Sequence, residues 1–77
     1  MKFKRTADAQ VQVNWHPENG IVRPFEQHMD DNRRQVMYRG KRVVTMNDQY
    51  YQVVKSWYDF HPNLHNGAVL APLEVIS

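Results

Sequence analysis

The sequence predicts a mainly β domain, a small antiparallel barrel or rolled sheet of five to six short strands. Three observations carry that expectation. Val11, Val13 and Trp15 alternate with Gln10, Gln12, Asn14 and His16, the period of two that puts one strand face on a core. The pairs Asn19-Gly20, Gly40-Lys41 and Asn47-Asp48 punctuate the chain at hairpin intervals. The segments between them are rich in Val, Tyr, Thr and Trp, which fit a pleated, half-buried surface.

The elements follow in order. "AQVQVNWH" (9–16) forms the clearest strand. "PENG" (17–20) turns the chain, with Pro17 presetting the turn and Asn19-Gly20 able to take positive φ. "IVRPF" (21–25) returns as a strand that ends or lies at an edge, because Pro24 cannot donate to a ladder. "FEQHMDDNR" (25–33) lacks alternation and reads as a loop or a short helix. Next comes a hairpin with Gly40-Lys41 as its two-residue turn. That register sets Arg39 across from Arg42, Tyr38 across from Val43, and Met37 across from Val44. Asn47-Asp48 turns the chain again into "YYQVVKSW" (50–57).

A rival reading makes the fold α+β, with a helix at about 48–60. Tyr50, Val53, Val54 and Trp57 have helical spacing, and Pro62 would stop the helix. The β-branched and aromatic content favours the strand. "HPNLHNG" (61–67) reads as a loop. "AVLAPLEVIS" (68–77) is extended, and Pro72 suggests an edge position or a break.

The chain of 77 residues is one domain, 1–77, of the general size of SH3-like or OB-like domains. A chain this short buries about 60% of its unfolded surface, so its core is thin. Cysteine is absent, which excludes disulfides and thiolate zinc sites. No apolar run reaches membrane-spanning length, and the N-terminus lacks a signal-peptide core. These features predict a cytoplasmic protein.

Net charge is +2, but it is unevenly spread. Glu26, Asp30 and Asp31 come just before Arg33, Arg34, Arg39, Lys41 and Arg42. Clustered Arg and Lys suit anions, and Arg offers a planar fork of donors. Cross-strand Arg39 and Arg42 would repel one another. An anionic partner would relieve that, and so would the neighbouring acidic residues of this chain. The plain alternative is a solvated turn whose charges protect a sheet edge.

Tyr38, Tyr50, Tyr51 and Trp57 supply aromatic surface beside the cations, or else core. Tyr, Trp and Arg are enriched at binding hot spots. The candidate binding set is therefore Arg33, Arg34, Tyr38, Arg39, Lys41, Arg42, Tyr50, Tyr51 and Trp57.

Catalysis has little sequence support. The only serines are Ser56 and Ser77, neither in a nucleophile elbow, and three glycines do not make a phosphate-cradling loop. No cofactor is implied. Asp59, His61 and His65 could offer metal ligands, but Pro62 breaks the helical spacing that would pair the histidines, so no metal is expected. The sequence thus predicts a small non-enzymatic protein that modulates or inhibits a larger protein by binding an acidic surface. Accessory proteins of phages and mobile elements offer the analogy. The alternative is a β domain that binds nucleic acid directly through hairpin 33–42, stacking bases on its aromatics.

Overall fold

The computed structural model describes residues 2–6, 10–16, 23–58 and 66–76. They form one antiparallel sheet: β1 (Phe3–Arg5), β2 (Val11–Trp15), β3 (Glu26–Gln27), β4 (Met37–Tyr38), β5 (Lys41–Met46), β6 (Gln49–Tyr58) and β7 (Asn66–Val75). The order is β1-β7-β6-β5-β3, with β2 also on β7 and β4 also on β5. The fold is mainly β, as the alternation predicts. Among the described residues there is no helix, so the stretch 48–58 is turn and strand rather than helix. Since β1 and β3 do not pair, the sheet curls without closing.

Two clusters hold the sheet, one on each face. Val43 and Val44 are consecutive in β5 and fully buried. Consecutive strand residues face opposite ways, so both faces of this short strand are covered. Val44 joins Trp15, Phe25, Tyr51, Val53, Ala68 and Leu70. Val43 joins Phe3 and Leu73, with Val36, Tyr38 and Tyr50 packed against them. Complete burial of a Val or Leu side chain contributes about 1.5–3 kcal/mol, which matters in so small a domain.

Ring contacts show how the sheet curls. On one face Trp15 meets Phe25 edge-on at 5.5 Å, although β2 lies on β7 and Phe25 leads into β3, which lies on β5. On the other face Phe3 of β1 meets His28, just past β3, at 6.3 Å. Elements from opposite sides of the sheet therefore approach one another over both faces. A strongly twisted sheet brings its corners together in this way.

The two outer edges are built alike. Along β7, β2 pairs from Asn66 to Leu70 and β1 from Leu73 to Val75. Pro72 falls in the gap between them. Its carbonyl accepts from Thr6 N at 3.3 Å, and the N–H and C=O of a strand residue point to the same side. The missing N–H therefore faces the gap. Pro72 thus sits in an interior strand, which corrects the expectation of an edge or a break.

Other corrections concern the middle of the chain. Arg23–Phe25 is not strand, and the strand begins after Pro24, at Glu26. Residues 25–33 contain β3 and a tight loop rather than a helix. Asn66 and Gly67 open β7 rather than closing a loop. The "PENG" turn and the segment 61–65 lie outside the described residues.

Candidate functional site

The hairpin β4–β5 turns one residue earlier than predicted. Met37 pairs with Arg42 and Tyr38 with Lys41, so Arg39 and Gly40 form the turn, with φ of 51° and 80°. Two positive φ values define the type I′ turn, whose twist matches that of the flanking strands. The competing Gly40-Lys41 turn needs glycine only in its first position, and the sequence alone does not separate the two. Asn47-Asp48 turns as predicted, again with both φ positive, at 52° and 63°.

The corrected register removes the Arg39–Arg42 pairing. It also divides the cations. Arg42 shares a side of the hairpin with Met37, while Lys41 shares the opposite side with Tyr38. The Arg39 guanidinium lies over the Tyr38 ring, 5.5 Å from its centre, so it belongs with Lys41. Arg33 and Arg34 lie further back, in the loop that the Met29–Gln35 bridge closes. About 17 Å of extended chain separates Arg34 from the hairpin tip at Arg39.

That loop settles the fate of Asp30. Its Oδ1 accepts from the backbone N–H groups of Asn32 and Arg34 at 2.8 and 2.9 Å. The carboxylate shapes the turn instead of pairing with a guanidinium. Among the described residues, none of the five clustered cations has a carboxylate within ion-pair distance.

Arg42 is the cation held in place. The half-buried Gln35 amide shares its two N–H bonds among the carbonyl oxygens of His28, Val36 and Val43, at 2.9, 3.1 and 3.0 Å from Nε2. These carbonyls lie where β5 passes from β4 to β3. Gln27 continues the network. With its amide oriented by its neighbours, its nitrogen donates to Gln35 Oε1 and its oxygen accepts from both Arg23 and Arg42 at 2.9 Å. Two guanidinium groups thus meet on one neutral oxygen. Gln52, buried in β6, donates to the Tyr38 carbonyl at 3.1 Å and ties β4 down over the sheet.

Apart from Tyr38, the aromatic candidates do not gather beside these cations. Tyr51 is only 7% exposed and belongs to the core. Tyr50 packs against Phe3 and His28, at 5.1 and 4.9 Å between ring centres. Trp57 is half-buried across from Gly67. Tyr38 is half-buried beneath Arg39. The large apolar side chain exposed beside the cations is Met37, 53% accessible, which the sequence reading placed in the hairpin without singling it out.

Charge also differs between the two ends of β5. Lys41 and Arg42 open it. At its far end a cavity of about 460 Å³ is bordered by Glu26 and Asp48, where an acidic partner would be repelled. Asp59, His61 and His65 lie outside the described residues. No helix among the described residues is long and apolar enough to cross a membrane. No protein-family model matches the chain, and no curated protein or solved structure matches it either.

Proposed function

We propose that this chain is a small non-enzymatic protein that binds the acidic surface of a larger protein through the β4–β5 hairpin and modulates that partner. The observation that carries the reading is the lack of ion pairs at the hairpin. Glu26, Asp30 and Asp31 lie close in sequence, yet among the described residues Arg39, Lys41 and Arg42 have no carboxylate partner. Their charge is left for an outside anion. Met37 adds an adaptable apolar contact beside them.

Protein is favoured over nucleic acid by the aromatic placement. A single-stranded platform needs stacking faces aligned with a cationic groove. Here Tyr50 and Tyr51 are engaged in packing, and the cations divide between two sides of the hairpin.

The test is a pull-down from the native host, with and without nuclease, using the natural chain and the double variant Arg39→Glu, Lys41→Glu. Both positions are exposed, so the melting temperature should move little. The reading expects capture that survives nuclease and is lost in the variant. Capture abolished by nuclease supports the nucleic-acid alternative. Capture unchanged in the variant would make the cluster an ordinary solvated turn.

A further inference from the structure

The β5–β6 ladder ends at the pair Val43 and Gln52. Beyond it the two strands part. β5 turns away into its hairpin with β4. Among the described residues β6 continues to Tyr58 along β7 alone, and its register shifts at Val54, which has no ladder partner there. The wedge between the strands is a cavity of about 230 Å³.

Arg42, Lys55 and Ser56 line this wedge, Lys41 borders it from the other side of the hairpin, and Met37 and Val54 add apolar wall. Among the described residues no acidic side chain lines it, and none of the three cations has an ion pair. Like charges around one concave volume focus a positive potential. Arg42 cannot simply swing clear of its neighbours without breaking its bond to Gln27. The ladder shift adds a second feature, because bulges free backbone groups and commonly lie beside sites.

We propose that the wedge is a carboxylate pocket that receives a Glu or Asp side chain from the partner's acidic surface. The proposal rests on the hairpin as a protein-docking element and names the group that it recognises. An acidic side chain matches the lining at both ends. Its methylene stem lies against Met37 and Val54, and its carboxylate reaches Arg42, Lys55 and the Ser56 hydroxyl. Free phosphate has the charge but no stem.

The experiment titrates the protein with a short Glu-rich peptide capped at both ends, with its Gln counterpart, and with inorganic phosphate. The readout is the backbone amide resonances of Val54, Lys55 and Ser56. The Glu peptide should shift them saturably, the Gln peptide should not, and phosphate should bind at least about tenfold more weakly. Lys55→Glu should weaken the Glu peptide by about tenfold or more, and Lys55→Arg should retain it. Equal responses to Glu and Gln, phosphate as tight as the peptide, or indifference to Lys55→Glu would overturn the pocket. Arg39 lies outside the lining whereas Lys41 borders it, so Arg39→Glu alone separates the two readings. If Arg39→Glu abolishes partner capture while the natural chain ignores the Glu peptide, the pocket fails and the hairpin reading survives. If the peptide binds as described but partner capture ignores that variant, the hairpin reading fails and a carboxylate pocket remains.

Discussion

Gln35 Nε2 lies 3.0 Å from the carbonyl oxygen of Val43, where β5 exchanges one outer neighbour for another. His28 N donates to the same oxygen at 3.0 Å. The side chain therefore reinforces a junction that backbone bonds already close. Gln35→Leu keeps much of the volume and removes the amide. We predict a loss of about 1–2 kcal/mol, a fall of roughly 4–8 °C in Tm per kcal/mol. Hydrogen exchange should quicken at the amides of Val36 and Val43. An unchanged Tm would mean that the backbone bonds suffice.

Gly67 lies directly beneath Trp57. A Cβ built on it would fall 2.7 Å from Asn14 Oδ1 and closer still to the indole ring of Trp57. These two residues are cross-strand partners on β6 and β7, so the ring covers the space that a side chain would occupy. Gly67→Ala should displace the indole and cost about 1–3 kcal/mol. Near-ultraviolet circular dichroism and a melting curve would register both effects. A native spectrum with native Tm would show that the ring moves freely.

The two type I′ turns make opposite predictions. Asp48 holds φ at 63° without being glycine, so Asp48→Gly creates the favoured Asn-Gly turn and should stabilise by a few tenths of a kcal/mol to about 1 kcal/mol. Gly40→Ala has open space around its Cβ but keeps φ at 80°, so it should destabilise by about 1 kcal/mol through backbone strain alone. Chemical denaturation of both variants checks the pair, since opposite shifts of the midpoint are required.

Arg42 and Lys41 should differ although they are neighbours. Lys41 is exposed, while Arg42 is half-buried and bonded to Gln27. Arg42→Ala is expected to lower stability by about 1–2 kcal/mol, and Lys41→Ala to change it by less than about 0.5 kcal/mol. Equal effects in urea titrations would remove Arg42 from the structural network.

Local chemistry made much of this fold legible. The alternation ending at Trp15 marked β2, the Asn47-Asp48 pair marked its hairpin, and the β-forming residues after Gln49 outweighed their helical spacing. What stayed hidden depends on non-local geometry. Two turn types compete at Arg39-Gly40-Lys41, and choosing the wrong one moves every cross-strand pair. Pro72 reads as an edge residue unless two short strands are known to abut beside it. Gln27 and Gln35 carry no motif, because their amides acquire a role only where three separate strands converge. The wedge at Lys55 was equally invisible, since it exists only because β5 and β6 part company after Val43.

The position of β7 between β6 and the pair β1 and β2 has a consequence for how the molecule comes into being. The β5–β6 hairpin is local and can close within microseconds. By contrast, Phe3 and Trp15 reach their ladder partners only when Val75 and Asn66 have been made. At about 5–20 residues per second of synthesis, the stretch between Trp15 and Asn66 leaves these aromatic groups uncovered for several seconds on the ribosome. Such distant closure also places refolding towards the slow side, on the order of milliseconds to seconds. Pulse-labelled hydrogen exchange should therefore protect the amides of β5 and β6 before those of β1 and β2. Simultaneous protection would show that the sheet condenses in one step.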